Sequence, residues 1–218
     1  MSPDFAHPLR LVIFLLSLVL AIDVHEFSHV LAAYLQGDQT GKSLGRLTLN
    51  PIRHLDPLGT IFMVMAALSG FGIGWGKPAP FNPYNLRFRR WGAALVAIAG
   101  PISNIIMMAI SGYALLLIGP RLPGTNLLLI FLESMVIINS GLAIFNLIPI
   151  FPLDGSHILR ALLGPDNGLV VALQRYGFFL LLALIFIGGG ILSSYLGVGI
   201  TLLFHLFGLT GIYPFLAG

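Results

Sequence analysis

Five long, nearly uncharged apolar stretches constrain the fold of this chain more than any other feature. They cover about residues 9–35, 93–118, 126–145, 170–191 and 195–216. Each is long enough to cross a bilayer as an α-helix. Charged residues make up only 9% of the 218 residues, whereas a soluble domain carries about 25% and needs them to cover its water-facing surface. The sequence therefore predicts an all-α polytopic membrane protein with about five transmembrane helices.

The remaining composition excludes several other classes of protein. The chain has no cysteine, so disulfide frameworks and thiolate metal sites are excluded. Its net charge of +3 is too small to indicate a nucleic-acid partner, and the lipid bilayer is the predicted environment. We expect one integral membrane domain over residues 1–218, with a core at 9–165 and two C-terminal helices within 170–216.

The first apolar stretch contains His25-Glu26-Phe27-Ser28-His29, an H-E-x-x-H motif. In an α-helix, residues 25 and 29 lie on one face, so both imidazole rings can bind the same ion. Glu26 projects to the side, where its carboxylate can take a proton from water that the metal activates. Zinc suits two imidazole ligands, and a catalytic zinc site needs a third protein ligand plus an open position. The motif predicts a zinc site with Glu26 as the general base.

The depth of the motif in the membrane supports a functional interpretation. His25 lies sixteen residues beyond Leu9, a rise of about 24 Å that places it inside the hydrocarbon layer. Ionisable residues at that depth are costly and usually functional. The alternative is a helix end whose polar side chains only contact lipid headgroups, but it leaves the spacing of the motif unexplained.

A third metal ligand can come from three acids within or beside the apolar stretches, which are Asp23, Glu133 and Asp154. Two prolines just before Asp154 break the helix near the membrane face, an arrangement suited to a carboxylate that lines a cavity. A short helix is predicted to follow over residues 155–163. Asp154 is therefore the predicted third ligand, and an N-cap of that short helix is the alternative role.

Three segments together carry a family resemblance, namely HEFSH at residues 25–29, AGPISN at 99–104 and FNLIPIFPLDG at 145–155. With these segments the chain resembles the site-2 protease family of intramembrane zinc metalloproteases. The flanking sequences GRLTLNPIRHLDPLG and GWGKPAPFNP resemble the short bacterial and archaeal members of that family, which have no PDZ or CBS module. The resemblance covers about residues 20–165.

The resemblance implies a function and a set of roles. Members of that family cleave peptide bonds of transmembrane substrates within the bilayer, so transmembrane proteins are the implied substrates. By this resemblance His25, His29 and Asp154 bind one zinc ion, and Glu26 is the general base. Asn146 matches a family asparagine thought to polarise the scissile carbonyl or to position the substrate.

Several polar residues near these motifs have roles that the sequence leaves open. His54 and Asp56 lie in a loop, either as an active-site lining pair or at the level of the lipid headgroups, and His54 is the better candidate for an additional carbonyl-polarising group. Asp23 either orients a metal ligand or is a buried neutral acid. Asn104 either lines the site or bridges two helices by a hydrogen bond, and the bridging role is favoured.

The apolar segment Leu58–Ile73 is predicted to enter the membrane and return, as a re-entrant or hairpin segment near residues 58–74. The two histidines and Asp154 each lie near the C-terminal end of a spanning helix, so an even number of crossings must separate them. The stretches at 93–118 and 126–145 supply two, and a third crossing would put the ligands on opposite faces. Glycines in the segment, at positions 59, 70, 72 and 74, permit such a return.

The cations are then distributed unevenly between the two faces of the membrane. Nine lie on the side of the metal site and two, Arg10 and Arg121, on the other side; the nine are Lys42, Arg46, Arg53, Lys77, Arg87, Arg89, Arg90, Arg160 and Arg175. Cytoplasmic loops carry the excess of Lys and Arg. The sequence therefore predicts an active site towards the cytoplasmic side, an N-terminus outside and a location in the prokaryotic cell membrane.

Two functions without catalysis are alternatives to the protease. A metal-binding or transport protein would need liganding residues along a path, and the sequence shows one cluster. An inactive scaffold that binds membrane proteins would need no general base, so Glu26 discriminates it from an enzyme. The sequence predicts neither the identity of the substrate nor the oligomeric state.

Overall fold

The computed structural model describes residues 8–69 and 74–216, and these fold almost entirely into helices. The ten α-helices of the described residues are α1 (Pro8–Leu35), α2 (Thr40–Ser43), α3 (Pro51–His54), α4 (Pro57–Ser69), α5 (Arg89–Ile118), α6 (Leu127–Asn146), α7 (Gly155–Leu163), α8 (Gly168–Phe186), α9 (Gly189–Leu206) and α10 (Tyr213–Leu216). Short 3₁₀ turns lie at residues 83–85, 119–121 and 210–212.

Five of the described helices are long and apolar enough to cross a bilayer, and they are α1, α5, α6, α8 and α9. They contain between 18 and 30 residues, which at about 1.5 Å per residue spans the hydrocarbon layer. The predicted all-α class and the predicted number of transmembrane helices are confirmed. The chain is an integral membrane protein.

Helices α1, α5 and α6 pack against one another and form the centre of the bundle. The largest apolar core joins α5, α6 and α9, with Met108, Val136 and Phe204 fully buried in it. Between α1, α5 and α6, by contrast, polar side chains are buried, including the two histidines of the H-E-x-x-H motif on α1. The bundle therefore has a separate polar region in which a site can form.

The last two spanning helices end earlier than the sequence predicts. The apolar pattern predicts helices over 170–191 and 195–216, whereas α8 ends at Phe186 and α9 covers Gly189–Leu206. The reason is glycine, because three of them at 188–190 weaken the helix at that point. Gly208 then adopts a φ of +64°, the left-handed conformation that ends a helix, and the 3₁₀ turn at 210–212 and the four-residue helix α10 follow.

The segment after α3 is a hairpin, as predicted. Helix α4 has 13 residues, and the chain then returns alongside it. A Cβ atom on Gly74 would lie 2.4 Å from Met63 Cβ, and one on Gly59 would lie 2.2 Å from the Trp75 carbonyl oxygen. The returning segment ends beside α3, where the hairpin begins, since Lys77 N–H donates to the His54 carbonyl at 2.7 Å. The tip, residues 70–73 with the predicted glycines 70 and 72, lies outside the described residues.

The loop between α6 and α7 is held against α8. Leu153 is buried with Ile148, Leu181 and Ile185 in a small apolar cluster. Gly155, which begins α7, has the Leu147 carbonyl oxygen 2.4 Å from the position of a Cβ atom. Any larger residue there would push the loop away, so the Leu-Asp-Gly sequence fixes the path of the chain on both sides of Asp154.

Candidate metal centre

Helix α1 places His25 and His29 one turn apart on the same buried face. Their rings meet edge to face with centroids 4.5 Å apart, and the two Nε2 atoms are 3.0 Å apart. Each residue is only 6% exposed. The spacing of the motif therefore brings two imidazole nitrogens to one point inside the bundle.

Asp154 reaches the same point from the loop before α7. Its Oδ2 atom lies 3.2 Å from His25 Nε2 and 3.4 Å from His29 Nε2. Asp154 occupies the N-cap position of α7, yet its side chain makes no capping hydrogen bond. The contacts of the carboxylate thus favour the ligand role over the N-cap role.

The outer nitrogens of both rings are held by helix α5. His29 Nδ1 lies 2.8 Å from the carbonyl oxygen of Val96, and His25 Nδ1 lies 2.6 Å from Asn104 Oδ1. Gly100 lies between these two contacts, and a Cβ atom there would stand 2.5 Å from the His29 ring. Residues 96, 100 and 104 share one helix face, so the AGPISN segment forms the wall behind both histidines.

The three inner atoms fit a divalent metal ion. With both Nδ1 protons directed at oxygen acceptors, the two Nε2 atoms and Asp154 Oδ2 all present lone pairs to one another. Asp154 Oδ2 is buried and has no hydrogen-bond partner among the described residues. Three such acceptors repel one another unless a cation lies between them.

The distances also suit a small ion with nitrogen and oxygen ligands. All three ligand atoms lie within 4.8 Å of one another. Zinc sits about 2.0–2.1 Å from imidazole nitrogen and carboxylate oxygen in a tetrahedral site, which separates the ligands by about 3.3 Å. Within the described ranges, these three residues are the group of histidines and acids that could hold a metal.

Glu26 lies beside this group, on the side of α1 that faces the return of the hairpin. Its Oε2 atom is buried without a hydrogen-bond partner in the described part of the chain. A Cβ atom on Gly76 would lie 3.7 Å from Glu26 Oε1. The carboxylate therefore lies in the space between α1 and the segment 74–77.

Comparison with known proteins agrees with this geometry. A family model described as peptidase family M50 matches residues 124–184. The protein YwhC of Bacillus subtilis is 37% identical over 187 residues, which is 82% of each chain. The chain belongs to peptidase family M50. The resemblance to the site-2 protease family is thereby confirmed.

Other relatives of this M50 peptidase are more distant. Rip2 of Mycobacterium tuberculosis is 27% identical over 199 residues, which is 89% of this chain and 72% of Rip2. Rip2 of Mycolicibacterium smegmatis is 25% identical over 77% of this chain and 64% of that protein. YwhC and both Rip2 proteins are provisionally named zinc metalloproteases. No solved structure matches the chain.

His54 of this M50 peptidase lies in a separate buried cluster. It is fully buried, and its Nε2 atom lies 2.8 Å from the Thr48 carbonyl oxygen and 3.7 Å from Asp23 Oδ1. Arg46 Nη2 contacts His54 Nδ1 at 3.4 Å and donates to the Lys77 carbonyl at 2.5 Å. These contacts use both ring nitrogens to hold the loop and the hairpin together, which favours a structural role for His54 over contact with a substrate.

Asn146 is half-buried at the end of α6, eight residues before Asp154. Its Nδ2 group donates to the Leu142 carbonyl at 3.0 Å, within its own helix. The structure thus places Asn146 at the start of the loop that carries Asp154, and its recorded hydrogen bond orients the amide along α6.

Two buried polar residues, one beside the site and one after the end of α1, were not predicted from the sequence. Asn139 on α6 is fully buried and accepts a hydrogen bond from Asn104. Asp38 follows α1 and is 1% exposed, with bonds to three polar residues of the neighbouring loops. The available signal was the same in both places, a polar residue next to or inside a long apolar helix, which is costly unless it has partners.

Proposed function

We propose that this M50 peptidase is an intramembrane zinc endopeptidase that hydrolyses peptide bonds in or near the transmembrane segments of membrane-protein substrates. The observation that supports this most is the convergence of His25, His29 and Asp154 inside a bundle of spanning helices. A buried group of this kind needs a cation, and its neighbour Glu26 offers a proton acceptor.

The depth of the site supports a membrane-embedded substrate. His25 lies seventeen residues after the first residue of α1, about 26 Å along a helix of 28 residues. The site is therefore below the membrane surface, towards the end of α1. A peptide bond that reaches this depth belongs to a transmembrane segment or to its boundary.

The chemistry divides between the metal and the side chains. A zinc ion held by His25, His29 and Asp154 would act as a Lewis acid on the scissile carbonyl and on water. Glu26 takes the proton that a water molecule loses as its oxygen attacks the carbonyl carbon. Glu26 then passes that proton to the amide nitrogen that leaves, so the two new chain ends form without free acid or base.

Substrate binding requires an extended peptide. A helical carbonyl is already bonded within its own helix, so the substrate must unwind before Glu26 and water can reach it. The backbone of Gly76 lies beside Glu26, and an unwound substrate can pair with this segment as an added strand. Asn146, at the start of the Asp154 loop, is proposed to polarise the scissile carbonyl or to position the substrate.

Cleavage of a transmembrane test substrate by purified protein in detergent tests this proposal. The wild type is compared with Glu26→Gln, and bound zinc is counted in both. We expect Glu26→Gln to lose cleavage by at least about 100-fold, because general-base catalysis contributes about that much or more. Zinc should stay at one ion per chain, since Glu26 is not among the three converging ligands.

A matched control is Glu133→Gln. Glu133 is the acid in α6, and its charged neighbour is Arg10 rather than the metal group. This variant should cleave at the wild-type rate. Cleavage by Glu26→Gln at the wild-type rate would contradict the proposed mechanism, and zinc bound by a wild type that cleaves no transmembrane substrate would favour the scaffold.

A further inference from the structure

Two buried asparagines are not used in the proposed chemistry. Asn104 on α5 and Asn139 on α6 are both fully buried within spanning helices. A primary amide in an apolar interior is costly unless its donors and acceptor are bonded. Their hydrogen bonds therefore decide what these side chains do.

The two amides form one continuous chain of hydrogen bonds that ends at a metal-ligand candidate. Asn139 Nδ2 donates to the Met135 carbonyl at 2.8 Å. Asn139 Oδ1 accepts from Asn104 Nδ2 at 2.8 Å, and that nitrogen also donates to the Ala21 carbonyl at 3.3 Å. Asn104 Oδ1 then contacts His25 Nδ1 at 2.6 Å.

The direction of this chain is fixed by its far end. A backbone carbonyl can only accept, so Asn139 must present Nδ2 to Met135 and Oδ1 to Asn104. Asn104 must then present Nδ2 to Asn139 and Oδ1 to His25. An amide oxygen can only accept, so His25 Nδ1 carries the proton and Nε2 carries the lone pair.

We propose that Asn104 and Asn139 are positioning residues that hold His25 in the tautomer required for metal binding. The inference rests on the proposed function, because it concerns a ligand of the proposed zinc site. Orientation of a ligating histidine by its outer nitrogen fixes both the tautomer and the angle of the ring. Asn104 and Asn139 act through His25 and contact neither the water nor the substrate.

His29 shows the same requirement met in a shorter way. Its Nδ1 atom contacts the Val96 carbonyl directly, and no side chain intervenes. A carbonyl of α5 therefore sets the tautomer of His29, whereas a carbonyl of α6 sets that of His25 through two amides. The side chains that hold His25 can be changed by substitution, whereas the backbone carbonyl that holds His29 cannot.

A role in joining helices alone makes a different prediction. Asn104 does link α5 to α1 and α6, so its loss will lower stability in either case. Simple bridging predicts no change in the tautomer of His25 and no dependence on which atom faces the ring. The proposed role predicts that an acceptor at position 104 is sufficient.

The test uses four variants of the full-length protein in detergent. Asn104→Leu removes the amide. Asn104→Asp keeps an acceptor for His25 Nδ1 but loses the Nδ2 donor to Asn139 and Ala21. Asn139→Leu removes the acceptor that supports Asn104. The control Ser134→Ala removes another buried polar group of α6, which donates to the Ile130 carbonyl of its own helix.

Two measurements are made without reference to cleavage. Nitrogen-15 spectra of the metal-free, histidine-labelled protein report the tautomer of each of the six histidines, with His25 assigned by the His25→Ala variant. Competition with a coloured chelator reports the affinity for zinc. Melting temperatures show which variants are folded.

We expect Asn104→Leu to lose the Nδ1–H preference of His25 and to bind zinc about 10–100-fold more weakly. Asn104→Asp keeps the acceptor but not the donors, so it should keep the tautomer and lose clearly less zinc affinity than Asn104→Leu. Asn139→Leu leaves the Asn104 amide in place and should also lose less affinity than Asn104→Leu, and Ser134→Ala should match the wild type.

The inference is overturned if Asn104→Leu keeps both the tautomer of His25 and the affinity for zinc. It is also overturned if Asn104→Asp loses as much zinc affinity as Asn104→Leu. If Asn104→Leu does not fold, then the comparison of Asn104→Asp and Asn139→Leu with Ser134→Ala decides. A wild type that binds no zinc would instead overturn the proposed function, so the two failures are distinguishable.

Discussion

Gly100 is the residue whose small size most directly shapes the metal centre. A Cβ atom there would lie 2.5 Å from His29 Cε1 and Nε2 and 2.6 Å from His25 Cε1. We therefore expect Gly100→Ala to displace both rings, with a loss of zinc affinity of about tenfold or more. The overpacking also costs about 1–3 kcal/mol of stability. Chelator competition and thermal melting in detergent measure the two effects.

Gly141→Ala is the matched control for this prediction. Gly141 lies in the neighbouring helix α6, and nothing lies within 4 Å of the position of its Cβ atom. Alanine there should be neutral or stabilise the helix by up to about 1 kcal/mol. Equal zinc affinities for Gly100→Ala and Gly141→Ala would show that the rings do not depend on this close approach.

At the scale of elements, the hairpin around α4 decides what covers Glu26. Phe62 on α4 stacks against Trp75 on the return, with ring centroids 5.4 Å apart. Because these two rings are in contact, we predict that the double variant Phe62→Cys, Trp75→Cys is joined efficiently by a short bismaleimide. The native chain has no cysteine, so the two introduced thiols are the only ones that react. When the chain is cut by a protease between the two positions, a bridged protein keeps both fragments joined, and mass spectrometry measures the fraction that stays joined. Bridging no better than in the two single variants would contradict the hairpin.

A second element-scale feature is the clamp that Asp38 forms between α1 and the loop before α5. Its carboxylate accepts from Thr40 Oγ1 at 2.6 Å, Asn82 N at 2.8 Å and Asn85 Nδ2 at 2.9 Å. Burial raises the pKa of Asp38, but these hydrogen bonds outweigh burial and hold that pKa below its usual value. The ionised form is therefore favoured by folding.

The sign of the pH dependence follows from this lowered pKa. The stabilisation is complete above the unfolded pKa of about 4 and is lost as the pH falls through the folded value. Asp38→Asn should cost about 1–3 kcal/mol at neutral pH, and its deficit should shrink on acidification. Melting temperatures from about pH 6 to pH 3 measure this. Asp166→Asn, at an exposed position, should show no such deficit, and a constant deficit for Asp38→Asn would contradict the argument.

How far the sequence predicts these elements depends on the range of the interactions. The long apolar stretches and the four-residue spacing of His25 and His29 are local features, so the spanning helices and the ligand face could be predicted. The helix ends near Gly188 depend on local backbone cost, which the apolar pattern does not show. The contacts of Asn104 join residues 79 and 35 positions apart, so they depend on how three helices pack, and no local pattern predicts them.

At the scale of the whole molecule, the metal centre restricts the number of crossings. Asp154 can meet His25 and His29 only if the chain between them crosses the membrane an even number of times, and α5 and α6 supply two crossings. The hairpin between them must then return to its own side, which its contacts show. The metal centre thus determines on which side of the membrane α1, α4, α5 and α6 begin and end.

The same topology predicts the orientation of the protein in the membrane. Nine cations lie at the metal end and two at the other end; at the metal end, Arg90 also bonds to the Leu162 carbonyl. Because cytoplasmic faces carry the excess of Lys and Arg, we expect the metal end to lie in the cytoplasm and α1 to begin outside. Helix α9 runs away from the metal end, since Gly199 lies against Ile144 whereas Leu209 lies against Gly112 and Phe215 against Gly119. The chain after α10 is therefore expected outside, beside the α5–α6 turn. Alkaline phosphatase fused after residue 218 should be active, and a green fluorescent protein fused there should not fluoresce. Fusions after Gly188, which lies at the end of the bundle that holds the Asp154 loop, should give the reverse pattern. Inactive phosphatase after residue 218 would place the metal centre on the outer side and contradict the positive-inside argument.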